Sequence, residues 1–336
     1  MGELILTQRG ERHRKIRNLV MDAFTSRAAE KHRPSVQALA DEYVTAMLAT
    51  EPPTDLITAL TQQIPFEVIT RLLGVPTKDG EEFRAWSDDI MAPAGEEHRA
   101  LVAALAMLEY NKRLMAVRRD RPEDDLITTI AQRAPAIGVT EDDAGLLIIA
   151  LLVGGWETTS SVAAGGVLRL LTTHHPSGPT VYRYLTQQPQ HLPGAVAEIV
   201  RTVPTSWGKT GLPRLAIQDT VVDGHTIKKG EFAAAGHDAG NHDPTVFPDP
   251  DRFDIHRPNG VTDTLAFGGG AHYCIGVHLA RIEIEGMIGA LLRQVPDLEL
   301  ACDPAELEWD YTTTVHRTTA LPVTWPPLPS GAPADR

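Results

Sequence analysis

The sequence predicts a mainly α protein with a small β region, on three observations. Helical periodicity dominates from residue 10 to about residue 205, a tight hairpin pattern follows Pro204, and one long apolar stretch, 146–171, reads as a helix running through a core. Turn formers divide the helical part at Pro52-Pro53, Gly74 to Pro76, Pro93 to Gly95 and Pro135 to Gly138. Thr140 and Asp143 stand in a spacing similar to a capping box at the start of the long helix, and His174-His175-Pro176 reads as its stop.

After Pro204 the pattern changes. Val221-Val222, Asp223-Gly224 and Thr226-Ile227 form a hairpin signal, because Asp-Gly supplies the positive φ that a two-residue turn needs. Proline and aspartate crowd residues 243–258, where missing donors disfavour helix and ladder alike, so an ordered meander is expected. Helix returns at about Gly276 and ends near Val295-Pro296. Residues 311–325, rich in Thr and Val, read as strand, and the tail from residue 326 to 336 as disordered. No internal repeat is visible, and residues 1–325 are expected to form one domain.

Composition excludes several functions. A net charge of −13 over 336 residues repels phosphate backbones and argues against nucleic acid. The stretch RGERHRKIR, Arg9 to Arg17, is a local exception, with five Arg/Lys and one acid. Two cysteines, Cys274 and Cys302, cannot make a disulfide framework and fit a reducing cytoplasm. The longest apolar run, Leu146 to Trp156, is shorter than the ~20 residues of a membrane span, and the N-terminus has no signal-peptide core, so no membrane association is expected.

The most specific segment is FGGGAHYCIG, Phe267 to Gly276. It places four glycines around one cysteine just before a helix, as where backbone must approach a flat cofactor closely. Backbone N–H groups and the helix N-terminus after Cys274 would help to lower the thiol pKa. A glycine-rich loop that merely contains a buried cysteine is the alternative. The segment resembles the signature of the cytochrome P450 superfamily, in particular its soluble bacterial, actinobacterial-like members. The resemblance implies that haem b (iron protoporphyrin IX) is the cofactor and that Cys274 is the axial thiolate, which favours O–O cleavage. It further implies that Phe267 shields the sulfur, that His272 reaches a propionate and that Gly276 belongs to the cofactor site.

Polar groups interrupt the long apolar helix at Gly154-Gly155-Trp156-Glu157-Thr158-Thr159, and burying them needs a reason. Hydroxyls bonded back to the preceding turn, with a satisfied Glu157, would be one. The stretch also resembles the family's oxygen-binding groove. On that resemblance Gly154 admits dioxygen, Thr158 hydrogen-bonds it and Glu157 relays protons. Trp156 departs from the His or Leu often found there.

Glu198 and Arg201 lie three apart on one helix face and resemble the family's Glu-x-x-Arg motif, which implies Arg252 as the third member of a structural ion cluster. His13, Arg17 and Arg214 match the family's propionate-binding positions. A solvated basic helix face is the alternative for the first pair. The rest of the Arg9 to Arg17 patch, Arg12, Arg14 and Lys15 among it, would then receive an acidic ferredoxin, itself served by a ferredoxin reductase. His237, Asp238, His242 and Asp243 have a spacing that fits no compact metal site.

The resemblance runs from about Gly10 to Trp325. Family members usually carry several tens of residues before the His13/Arg17 helix, so a fold lacking the usual N-terminal segment is expected, with Met1 either an internal start, the favoured reading, or the start of a truncated homologue with an open distal pocket and weakened haem retention. The implied pocket is lined by Ala150, Val153 and Gly154, by Trp207 to Gly211, and by Arg317 to Thr319 with Thr318 at its centre. The implied activity is that of a haem-thiolate monooxygenase that inserts one atom of dioxygen into a small organic substrate, as in natural-product tailoring. The competing reading is a non-catalytic relative that partners another biosynthetic enzyme. Cys274, Glu157 and Thr158 weigh against it, the late start for it. Peroxide-driven oxidation is disfavoured by the acid–alcohol pair.

Overall fold

A computed structural model describes residues 3–93, 95–206, 211–258, 262–313 and 315–326. The helices are α1 (Gly10–Asn18), α2 (Ser26–Leu48), α3 (Gln63–Leu73), α4 (Gly80–Ile90), α5 (Glu97–Asp120), α6 (Leu126–Arg133), α7 (Glu141–Thr172), α8 (Val181–Gln187), α9 (Leu192–Thr202), α10 (His237–Asn241) and α11 (Val277–Gln294). All four breaks expected from proline and glycine are real. A fifth, at residues 121–125, carries its own signals in Pro122 and in Asp125, which caps α6 by accepting from the Thr128 amide at 2.6 Å.

The strands are short: β1 (Thr54–Asp55), β2 (Arg214–Leu215), β3 (Thr220–Val222), β4 (His225–Ile227), β5 (Phe232–Ala233), β6 (Glu299–Leu300) and β7 (Pro322–Thr324). One sheet runs β1-β7-β6, while β2 pairs with β5 and β3 with β4, all antiparallel. The hairpin forms as expected: Asp223 at φ 46° and Gly224 at φ 76° make a turn of type I′ character between β3 and β4. The strand expected over 311–325 is reduced to β7. Its earlier part is irregular, joined to the molecule by isolated bridges such as Ser206 to Val315 and Trp309 to Thr318. Two-residue strands such as β1 and β6 are too short to show a period of two. The expected tail, residues 327–336, lies outside the described residues.

α7 organises the core. Thr140 caps it by accepting from the Asp143 amide at 3.1 Å. Asp143 does not reach back as a capping box requires. Its carboxylate instead accepts from the Glu3 amide at 3.1 Å and from Arg12 at 3.0 and 2.9 Å. α7 is long and apolar enough to cross a membrane, in contrast to what its shorter apolar run indicated. Two-thirds of its apolar window (67%) is buried, and the helix packs on α3, α5, α8, α9 and α11. Small residues permit these close approaches. A Cβ at Gly166 would come within 2.7 Å of Ile199 on α9, and one at Gly145 within 2.5 Å of Leu108 on α5. α11 lies along α2 in the same manner, with Gly286 against Val36. One continuous apolar cluster extends from Ile16 to Trp325.

Candidate haem site

The loop before α11 is folded by its own backbone. The Cys274 amide donates to the Phe267 carbonyl at 2.9 Å, which curls the segment back on itself, and Gly268 (φ 70°) and Gly270 (φ 66°) take the left-handed conformations this needs. The Phe267 ring is flanked by the Arg281 guanidinium, 5.1 Å from its centroid. Burial pushes the Cys274 thiol up, against the opposing influence of the Gly276 N–H and of Arg17. The expected lowering is therefore present as two contributions but does not win. A metal ion at the sulfur would reverse the balance, because a coordinating thiol is deprotonated outright.

α1 lies against this loop. The Arg17 guanidinium donates to the Tyr273 carbonyl at 2.6 Å, and the rings of His13 and His272 stand with centroids 4.1 Å apart. His13 is buried. Both imidazoles are held below the usual histidine range, first by burial. The neighbouring His272 and Arg17 add to the effect at His13, and Arg214 and Arg17 at His272. Arg214, exposed on β2, donates to the Leu212 carbonyl at 2.9 Å. The structure thus brings His13, Arg17, Arg214 and His272 into one electrostatic neighbourhood beside Cys274. His237, on α10, also lies here, close against Gly211. Among the described residues no group of three or more histidines, cysteines and acids is arranged to hold a metal ion.

On α7 the stripe Leu146, Ala150, Val153 and Thr158 is only partly covered by protein and Gly154 is exposed, while most of the residues around them, Gly155 apart, are buried. A Cβ at Gly154 would meet no protein atom within 4 Å, whereas one at Gly155 would touch Ile69 on α3 at 3.4 Å. The two adjacent glycines therefore differ: one lies on the open face, the other lets two helices approach. Trp156 turns into the core. Its indole N–H donates to the Gln62 carbonyl at 2.9 Å and its ring meets Phe66 edge-on at 5.3 Å.

The Thr158 hydroxyl donates to the Gly154 carbonyl at 2.6 Å. Glu157 is buried and accepts from Arg317 at 2.5 Å. Back-bonding and a satisfied acid are thus both realised. Burial nonetheless holds the Glu157 carboxyl above the usual carboxylate range, with Arg317 opposing and Asp88 and Asp310 reinforcing the rise. Nothing in the sequence signalled Arg317 as its partner. Thr318, the next residue, is buried and bridges to Trp309, while Ala150 and Val153 lie on the open stripe. Of the stretch Trp207 to Gly211, residues 207–210 lie outside the described residues.

The ion cluster requires a correction. Arg201 donates to both Glu198 oxygens, at 2.8 and 2.6 Å, and both side chains are buried. The third member is Arg257, not Arg252. Arg257 lies 3.3 Å from Glu198 and donates to the carbonyls of Pro248, Asp249 and Arg252. Arg252 is 60% exposed and pairs with Asp254 and Asp249. The meander turns back at Asp249 (φ 50°), which carries Arg252 outward and brings Arg257 under Glu198.

These residues fit a haem. A cysteine sulfur in a glycine-flanked turn could supply a thiolate ligand to the iron. Two imidazoles and two guanidiniums beside it match two carboxylates, and an open face on α7 includes a glycine that leaves room for a flat group.

The comparisons agree. A family model for Cytochrome P450 matches residues 187–304. The mycinamicin IV hydroxylase/epoxidase of Micromonospora griseorubida is 36% identical over 93% of this chain and 77% of its own. The nocardicin C N-oxygenase of Nocardia uniformis subsp. tsuyamanensis is 34% identical over the same shares. Among solved structures, the LnmA cytochrome P450 hydroxylase from the leinamycin pathway of Streptomyces atroolivaceus superimposes with a TM-score of 0.86 at 35% identity. That match covers 96% of this chain and 81% of the other. With catalytic relatives of this likeness spanning nearly all of its length, the chain belongs to the cytochrome P450 family and is a haem b-dependent, haem-thiolate monooxygenase.

Proposed function

We propose that Cys274 would supply the thiolate ligand to the haem iron, that Arg17 and Arg214 would neutralise and His13 and His272 hydrogen-bond the two propionates, and that the open stripe of α7 would form another wall of the site. The observation that carries this reading is the convergence of α1 on the cysteine loop, through the Arg17 to Tyr273 hydrogen bond and the His13–His272 contact. When bound, the haem supplies the activation of dioxygen and its insertion into substrate. The chain's own residues orient and supply protons. Thr158 presents a hydroxyl on the stripe one turn after Gly154, and Glu157, whose carboxyl burial holds toward neutrality, passes protons toward it.

The substrate is a natural-product scaffold held against Ala150, Val153 and the turn around Thr318. Support comes from relatives named for mycinamicin IV and nocardicin C. The same names are those of active oxygenases, and the reading as a non-catalytic auxiliary protein gains nothing from them. Incubation with labelled dioxygen and candidate macrolide or peptide scaffolds tests the assignment. One labelled oxygen per product molecule is expected. Thr158→Ala should consume reductant at a similar rate while product per electron pair falls about a hundredfold, the lower end for a lost proton-transfer step. Unchanged coupling in that variant would remove Thr158 from the mechanism.

The electron donor is a ferredoxin reduced by a ferredoxin reductase, in the cytoplasm that the two free thiols fit. Its docking face is the outer side of α1, which lies over the cysteine loop. Arg12 is committed to Asp143 and Glu3, and Lys15 pairs with Glu11, so Arg9 and Arg14, both exposed, are the better contacts. Reversing Arg9 and Arg14 to Glu should slow reduction by a ferredoxin at low salt by roughly tenfold, with the difference vanishing at high salt. Equal rates at low salt would rule this face out.

A further inference from the structure

The Arg317 guanidinium touches two carboxylates that belong to different parts of the fold. It donates to Glu157 on α7 at 2.5 Å, and to Asp310 in its own turn at 3.2 and 3.0 Å. The turn is otherwise fixed. The Asp310 amide donates to the Arg317 carbonyl at 3.0 Å, the His316 amide donates to the Thr205 carbonyl at 3.1 Å, and the Ser161 hydroxyl donates to the His316 carbonyl at 2.6 Å. Ser161 is one helical turn beyond Glu157, so α7 grips the turn at two successive positions on one face. Of the three side chains at this junction, the arginine is the most exposed. It is 22% exposed, against 4% for Glu157 and 14% for Asp310.

We propose that Arg317 is a positioning residue for Glu157, its guanidinium shared between Glu157 and Asp310 so that the balance between the two carboxylates decides when Glu157 can hold and pass a proton. With Glu157 ionised, the trio carries one net negative charge; when Glu157 takes a proton, Arg317 remains fully neutralised by Asp310 and the trio carries none. Without Asp310, protonation of Glu157 would strand a cation, and the arginine would stay clamped on Glu157. Without Arg317, the buried carboxyl would keep its proton and release it poorly. The other charges facing Glu157 come from α4, where Asp88 raises its affinity for the proton and Arg84 moderates Asp88. This rests on the assignment of Glu157 as the proton carrier, and the test separates the two.

The haem-loaded protein and its R317Q, R317K and D310N variants would be titrated by infrared difference spectroscopy. The protonated-carboxyl band of Glu157 is identified by its disappearance in E157Q. The band should persist to higher pH in R317Q, by about 1–3 pH units, as expected when an opposite charge at contact distance is lost. It should vanish at lower pH in D310N, by about 1 unit, and R317K should fall between R317Q and the parent. Shifts in the same direction for R317Q and D310N, or no shifts, overturn the proposal whatever the activity. Product formed per electron pair should follow the same opposite displacements along the pH axis. If the infrared shifts appear and coupling does not follow, the arginine clamp stands and Glu157 is not the proton carrier. The reduced, carbon-monoxide-bound spectrum should stay that of the parent in all variants, and loss of its thiolate band in both R317Q and R317K would mark Arg317 as structural and overturn the proposal.

Discussion

Cys274→Ser is expected to abolish the strongly red-shifted Soret band of the reduced, carbon-monoxide-bound protein and, with it, oxygen insertion. A thiolate pushes electron density onto the iron, and a serine oxygen at the same place is a harder, weaker donor that is not deprotonated as readily. The loop should survive the exchange, because its shape comes from the Cys274 amide to Phe267 carbonyl bond and from Gly268 and Gly270, none of which uses the sulfur. Cys302→Ser is the matched control. Cys302 sits in the loop after β6, and its replacement should leave the spectrum unchanged. A parent protein without the red-shifted band, or a Cys274→Ser variant that keeps it, would remove Cys274 as the ligand.

The second large effect concerns folding. Arg257→Ala should destabilise the protein by about 3–5 kcal/mol, because Glu198 is buried and would lose one of its two cations while the carbonyls of Pro248, Asp249 and Arg252 each lost a hydrogen bond. Arg252→Ala, on an exposed side chain five residues earlier, should leave the urea midpoint where it was. Urea unfolding of the haem-loaded protein, followed by loss of the haem band and by helical signal, measures both. Equal midpoint shifts for the two variants would contradict the assignment of Arg257 as the third member. The cluster also meets the cysteine loop's surroundings. Arg201 donates to the Asn241 carbonyl at 2.6 Å, and the Asn241 side chain accepts from the Leu265 amide at 2.7 Å, two residues before Phe267. Weakened haem retention should therefore accompany the loss of stability.

The features legible in the sequence are those fixed within a few residues. Gly-rich spacing around Cys274, the positive φ of Asp223-Gly224, the Thr140 cap and the proline breaks are local consequences of backbone sterics and hydrogen bonding, and they appear where expected. The residues proposed to hold the propionates were singled out through family likeness. Their contact in space, His13 on His272 and Arg17 on Tyr273, links positions about 256 residues apart. Less was legible where several residues of one type compete. Two arginines follow Glu198 within reach of the meander, and choosing between them depends on where the chain reverses.

By itself, the sequence determined the helical frame, the glycine-flanked turn around Cys274, and the polar interruption of an otherwise apolar core helix. The tertiary structure alone decided which partners satisfy the buried charges. Arg257 rather than Arg252 closes on Glu198, Arg317 crosses 160 residues to reach Glu157, and Gly155 rather than Gly154 is consumed by helix packing. The physical reason is range. Periodicity and turn chemistry are set by neighbours along the chain, whereas a buried charge is satisfied by whichever donor the packed fold brings within about 3 Å.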